Sequence, residues 1–395
     1  MAGPLEGVRV VDLTRALAGP YCTLVLGDLG AEVLKIEQPG SGDETRGWGP
    51  PFLAEQSAYF ISINRNKKSV SLDLKKPGGL EVLRRLVKWG DVLVENFRPG
   101  TLARLGMAYD EAHELNPRLI YCSITGFGQD GPRANEPAYD QIVQGLSGAM
   151  SLTGPIEGPP TKFGIAISDL GAGMWAACAI GTALYHRERS GQGQWIDTSM
   201  IGGLVALLTF QAGRYFATGQ APGLAGNQHP TIAPYETFKT ADGWLNVACG
   251  NEGHWRRLCE ALGLSDLLSD ERFAKNADRV HHRAALNDRI EPRLAAMRTA
   301  EAVEALRAAE VPVGPVFDLA EVFGDPQSEH LALRQVIHHP EVGEVSVTGF
   351  PWRYSETPPA IRYPPPLLGQ HTDETLAKLG YDSDQIAQLR QSGVV

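Results

Sequence analysis

GVRVVDLTRALAGPYCTLVLGDLGAEVLKIE (residues 7–37) reads as strand, helix, strand. VRVVDL (8–13) is an apolar run short enough for a buried strand. PYCTLVLGDLG (20–30) reads as a helix that stops near Gly30, and AEVLKIE (31–37) returns as the next strand. A strand, a helical crossover and a second strand give a parallel pair. The alternation continues. SVSLDL (69–74) repeats with period two, and GGLEVLRRLVKWG (78–90) sets Leu80, Leu83, Leu86 and Val87 on one helical face before Gly90. DVLVENF (91–97) and RLIYCSITGFG (118–128) are again strands. The expected fold is α/β, with a doubly wound, mostly parallel Rossmann-like sheet.

An alanine-rich helix is expected from Leu170 to Arg189, closed by SGQGQ, followed by a strand in WIDTSM and one apolar helix over IGGLVALLTFQAGRYF (201–216). Residues 217–234, dense in Gly, Pro, Ala and Asn, read as a linker or functional loop. Residues 235–330, with strand-like GWLNVACG and several charged helices, make a smaller α+β domain. In 331–395 a proline-rich stretch must run extended, before a last helix over Thr372–Leu379. The division is therefore 1–216 for the large domain, 217–234 for the linker, 235–330 for the small domain, and 331–395 for the return.

The chain has 395 residues and a formal net charge of −10, which argues against nucleic acid or an anionic membrane as partner. No stretch approaches the roughly 18–20 unbroken apolar residues of a membrane span. Cys22, Cys122, Cys178, Cys249 and Cys259 are scattered, without a C-x-x-C pair, as in a reducing compartment. The pairs His281–His282 and His338–His339 lack ligand spacing, so no metal centre is expected. MAGPLEG carries no basic region ahead of an apolar core, which points to a cytoplasmic protein; a trimmed mitochondrial form would look the same.

Four stretches could carry chemistry. TGFGQDGP has G-x-G-x-x-G spacing, but Pro132 and polar residues follow where a dinucleotide site needs a helix, so a tight turn is expected. NRNKKSVSLDLKK (64–76) sets Arg65, Lys67, Lys68, Lys75 and Lys76 against Asp73 alone, suggesting an anion site; exposed lysines are the plainer alternative. VENFRPG (94–100) puts Asn96 and Arg98 at a strand's carboxyl end, where such sheets bind ligands. In FGIAISDLGAGMW (163–175), Asp169 opens a helix. It is either an N-cap or a nucleophile held ionised by the helix N-terminus, with Gly171 and Gly173 leaving room for a thioester.

Together, residues 7–49 and the stretches NRNKKSVSLDLK, VENFRPG, AISDLGAG and SGQGQWIDTSM resemble the class III CoA-transferases, the formyl-CoA and carnitine CoA-transferase family. The resemblance implies an interlocked homodimer with Asp169 as nucleophile. It implies CoA contacts at Ala18, Gln38, Leu72, Asp73, Leu74, Lys75, Asn96, Phe97, Arg98, Arg104 and Tyr139. Coenzyme A and acyl-CoA would be substrates, with no permanently bound cofactor. The branch that moves CoA between succinate and glutarate or 3-hydroxy-3-methylglutarate shares YCSITGFGQDGP, RYPPPLLGQHT and the ending SGVV, which implies a C4–C6 dicarboxylate acceptor. Arg15, His229, Gly250, Asn251 and Glu252 are candidates for binding it. A racemase of 2-methylacyl-CoA is the alternative, but that branch has a His-Asp pair where this chain has Tyr139–Asp140. A non-catalytic CoA-binding protein, with Asp169 only a cap, is the third reading.

Overall fold

A computed structural model describes residues 3–395. Two compact units emerge: one of residues 3–149, 162–219 and 327–395, the other of 150–161 and 220–326. The second unit thus includes residues 150–161, which the sequence reading left in the large domain, and most of the segment read as a linker.

In the first unit the strands are β1 (Arg9–Asp12), β2 (Glu32–Glu37), β3 (Lys67–Ser71), β4 (Val92–Glu95), β5 (Ile120–Thr125) and β6 (Trp195–Ser199). They form one parallel sheet in the order β3-β2-β1-β4-β5-β6, with Val10 opposite Val33 on one side and Val92 on the other. The order reverses between β1 and β4, which opens a crevice at their carboxyl ends.

Alternation along the strands feeds two cores. Val10, Val33, Val94 and Ile124 face α1 (Ala18–Asp28) and the long α4 (Ile167–Ser190). Val11, Leu34, Val70 and Leu93 face α2 (Pro77–Trp89) and the chain end, including Leu376 and Val394. By composition α4 could cross a bilayer, yet Ala172, Ala176, Ile180 and Ala183 are buried in the first of these cores. A Cβ at Gly173 would lie 2.6 Å from the Ala18 carbonyl oxygen and 3.2 Å from the Cys22 nitrogen. Only glycine lets α4 press this closely on the backbone of α1. Between β5 and β6 the chain also forms α3 (Asp140–Leu146).

Three elements depart from expectation. The third strand begins at Lys67, not Ser69, because Lys67 and Ser69 are buried and have partners: Nζ of Lys67 donates to the Pro20 carbonyl, and the Ser69 hydroxyl donates to Glu37. On α2 it is Val82, not Leu80, that joins Leu83, Leu86 and Val87 in the interior. The apolar stretch expected as one helix is two, α5 (Met200–Leu207) and α6 (Thr209–Thr218), bent by 76° at Thr209, whose φ is +38°. No Gly or Pro stands at that break.

The second unit has an antiparallel three-stranded sheet: β7 (Tyr235–Lys239), β8 (Trp244–Ala248) and β9 (Val313–Pro315), with β8 central. Phe238, Leu245 and Val247 pack with Leu258, Leu286, Ile290 and Leu306 from its helices.

The tail returns to the first unit. It runs extended, then forms α7 (Thr372–Lys378) and a further helix that the sequence reading missed, α8 (Ser383–Gln391). On the way, the Arg362 guanidinium donates to the carbonyls of Gly27, Gly30 and Ala31 at 2.6–2.8 Å, satisfying the carboxyl end of α1. Arg362→Ala is expected to lower the thermal midpoint by several degrees, corresponding to about 2–4 kcal/mol for charge-assisted bonds to buried acceptors. Calorimetry would read it, and an unchanged midpoint would contradict this role.

Candidate active site

Asp169 is the third residue of α4, not its cap; Ala166 holds the cap position and offers no side-chain bond. The open N–H groups of α4 are met instead by Asp140, the first residue of α3. Its Oδ1 accepts from the Ser168 N–H at 2.9 Å and from the Ser168 hydroxyl at 2.7 Å. Gln144 steadies the other oxygen at 2.6 Å and accepts from the Phe163 N–H at 2.9 Å. The Asp169 carboxyl is thereby released to reach across to α1, where the backbone N–H of Ala18 favours its charged form. Leu17, the cap position of α1, has no side chain able to accept that N–H.

Burial pushes the Asp169 carboxyl up to about 7; the charge of Asp140 adds to the rise, and the Ala18 N–H works against it. The expectation of a carboxylate held firmly ionised is therefore corrected. One backbone donor does not offset desolvation and a like charge. Gly173 serves differently from the expectation, filling the contact with α1. At Gly171 a Cβ would meet only Leu207, at 3.6 Å, so space remains there. Tyr59, which the sequence reading did not single out, is close enough that Asp169 helps burial raise its hydroxyl to about 12.

Asp169 borders a cleft of about 350 Å³ at the crevice between β1 and β4. Ala18, Asn96, Phe97, Arg98, Tyr139 and Arg15 line it with Asp169. Its wall at residues 14–16 is fixed from several elements. Asp12 accepts the Thr14 N–H at 2.9 Å, and the buried Lys35 donates to the Thr14 carbonyl at 3.0 Å. The Ala16 N–H, in a residue with φ of +61°, reaches Asp43 at 3.4 Å. Asn96 clasps Arg15, accepting its N–H at 2.9 Å and donating to its carbonyl at 2.8 Å. Asn96 thus shapes the wall with its side chain. The Arg15 guanidinium lies over the Phe97 ring, 5.4 Å from its centroid.

Other expected contacts lie outside the cleft lining, though on the same carboxyl edge of the sheet. Gln38 follows β2, and Leu72–Lys75 follow β3. Leu72 is core, and Asp73 turns back to accept the Lys75 N–H at 3.0 Å. Arg104 donates to Thr101 at 3.1 Å. Four of the five cations of the basic stretch are engaged within the fold. Arg65 pairs with Asp28, Lys68 with Glu32 and Glu374, and Lys76 with the carbonyls of Ser392 and Gly393. Lys67 is buried beside Asp12 at 3.4 Å, and burial pulls its ammonium down to about 8. In the second unit, Asn251 caps the helix that begins at Glu252, while Glu252 pairs with Arg279 at 2.7 Å. His229 stacks on Tyr235, and Gly250 lies in the adjoining loop. Asn251, Glu252 and His229 thus have partners within that unit.

Residues 5–372 match the family described as CoA-transferase family III. The chain belongs to that family. The transferase is 43% identical over 393 residues to the succinyl-CoA:glutarate CoA-transferase of Mus musculus, covering 99% of this chain and 90% of that one. It is 45% identical over 327 residues to the acetyl-CoA:oxalate CoA-transferase of Acetobacter aceti, covering 82% and 84%. Among solved structures, a CAIB/BAIF family protein from Brucella suis superposes with a TM-score of 0.86 at 40% identity, covering 96% of the transferase and all of that chain.

Carbon-13 NMR of Asp169 is expected to show its carboxyl titrating near pH 7. In Asp140→Asn, which keeps an acceptor for Ser168 but loses the charge, the midpoint should fall while staying above the ordinary carboxylate range, since burial remains. No movement would refute the electrostatic coupling.

Proposed function

We propose that the transferase moves coenzyme A from succinyl-CoA to glutarate or a dicarboxylate of similar length, with Asp169 as covalent relay. The observation that carries this reading is a desolvated carboxyl group at the N-terminus of a second helix, bordering a cleft at the sheet's crevice. Its raised pKa makes the ionised form a stronger nucleophile toward an acyl carbonyl, since desolvation costs it stabilisation. The names of relatives more than 40% identical over nearly the whole chain support the pair of acids.

In this mechanism an Asp169 oxygen attacks the thioester carbonyl. The C–S bond breaks, CoA leaves as thiolate, and a mixed anhydride remains. The thiolate attacks the aspartyl carbonyl, expelling succinate and forming an aspartyl-CoA thioester. A glutarate carboxylate attacks that carbonyl, giving a second anhydride and thiolate. The thiolate then takes the glutaryl carbonyl and restores the Asp169 carboxylate. No proton is gained or lost over the cycle. The Ala18 N–H, which already favours the charged form of Asp169, is suited to hold the oxyanion at the aspartyl carbonyl.

The cleft's two cations divide the work: Arg98 for the phosphates of CoA, Arg15 for the acceptor's far carboxylate. Clasped through its backbone by Asn96 and resting on Phe97, Arg15 loses little freedom when it binds. The working form is an interlocked homodimer. Met174, Tyr185 and Phe216, at 46%, 68% and 80% exposure on α4 and α6, are large apolar groups of the kind a second copy would cover.

Asp169→Ala should abolish succinate–glutarate exchange and the hydroxylamine-sensitive adduct formed with succinyl-CoA; exchange surviving the substitution would end the proposal. Arg15→Gln should raise KM for glutarate roughly tenfold or more, the worth of one charged hydrogen bond. A monocarboxylate such as butyrate should feel no such change, and equal effects on both acids would remove Arg15 from acceptor recognition.

A further inference from the structure

Beside the cleft that holds Asp169 lies a second one, on the face of the sheet over β4, β5 and β6. Arg98 lines both. At its base is Glu95, the last residue of β4, only 5% exposed. A buried carboxylate normally has a cation beside it. Among the described residues, no ion pair forms at Glu95.

What Glu95 has instead is a directed chain of hydrogen bonds. The Trp195 Nε1–H of β6 donates to the Ser123 hydroxyl oxygen of β5 at 3.1 Å. The Ser123 hydroxyl, opposite Glu95 on the neighbouring strand, favours the charged form of its carboxyl. Glu95 Oε2 accepts the N–H of Phe97 at 2.9 Å, and Oε1 meets the Gln129 amide at 3.5 Å. The chain crosses three strands and ends on the turn whose next residues, Phe97 and Arg98, face the first cleft. Phe97 in turn supports Arg15.

We propose that Glu95 is a positioning residue for coenzyme A: through Phe97 it locks the Asn96–Arg98 turn to the sheet and so sets the affinity for the CoA moiety. This rests on the reading of Arg98 as a CoA contact but not on which acids are exchanged. The groups facing Glu95 are Asp197 of β6, Tyr121 and Ser123 of β5, and, across the cleft, Arg98, Tyr109 and Asp110. Burial raises the Glu95 carboxyl to about 7; the Ser123 hydroxyl and the Phe97 N–H hold it down, and Asp197 pushes it up. Ionised, it grips the Phe97 N–H with a charge-assisted bond. Below pH 7 that grip weakens and CoA should bind less well.

The test is calorimetric titration with coenzyme A from pH 6 to 8.5. An Asp169→Ala background is used because Asp169 titrates in the same range. Relative to that parent, adding Glu95→Ala should weaken CoA binding roughly tenfold or more at pH 8, the scale of a lost charged hydrogen bond. Glu95→Gln, which still accepts from Phe97, should recover most of the affinity and lose the parent's decline below pH 7. In the otherwise wild-type enzyme, Glu95→Ala should raise KM for succinyl-CoA and leave kcat within about threefold, a split that marks binding rather than chemistry. Should Glu95→Ala fail to fold, Trp195→Phe removes the first donor of the chain and should weaken CoA binding in the same direction at pH 8. The proposal is overturned if Glu95→Gln keeps the parent's pH profile, or if neither Glu95→Ala nor Trp195→Phe changes CoA affinity. A wrong succinate–glutarate assignment would appear as absent exchange with CoA affinity intact, and the two failures stay separate.

Discussion

The site depends on one close approach, that of α4 to α1. At Gly173 nothing but a hydrogen fits between the helices, since a methyl group would sit 2.6 Å from the Ala18 carbonyl oxygen. That contact fixes the position of the first turn of α4, and with it Asp169, against the first turn of α1. Each helix lacks a side-chain cap of its own. Each is served from elsewhere: α4 by Asp140, α1 by Asp169. A carboxyl group spared from capping its own helix is free to meet something else at its second oxygen.

Around this contact the protein buries charge in order to hold a short loop still. Lys35 and Asp43 form an ion pair at 2.7 Å with side chains almost wholly inside. Asp12, Lys67 and Thr23 make a second cluster, with the Thr23 hydroxyl 2.6 Å from Asp12. Such groups contribute little net stability, because desolvation consumes much of their attraction. Their effect is geometric. They occupy the polar backbone atoms of Thr14 and Ala16, and Asn96 takes those of Arg15, so the wall of the cleft has few alternative conformations. The strained φ at Ala16 persists because so many partners fix it.

Much of the fold was legible because it follows from local periodicity: five of the six parallel strands start within two residues of where the sequence runs suggest, and the sixth, at Trp195, coincides. The errors arise where a distant partner decides. Lys67 looked like part of an anion site because Asp12 and Pro20 lie far away in sequence; paired with them, it becomes the start of a strand. Asp169 was legible as a special residue, but its protonation was misread, because burial and Asp140 belong to the tertiary structure. Asn96 looked like a ligand donor; it lines the cleft, and its clasp on Arg15 is a contact that only the fold reveals. Tyr59 and Glu95 gave no signal, since neither sits in a pattern that spacing alone can flag. The Pro137–Tyr139–Asp140 stretch did carry one: an acid opening a short helix, whose partner at Ser168 only the fold reveals.

The guanidinium of Arg362 closes the carboxyl end of α1 from a position more than 330 residues downstream of the carbonyls it binds. The same helix presents Ala18 to Asp169 at its other end. During synthesis the ribosome delivers α1 first and its terminal lock almost last. A nascent chain can therefore begin the sheet early, but the helix that faces Asp169 stays incompletely fastened until nearly the whole polypeptide has emerged, so the cleft is completed late in biogenesis.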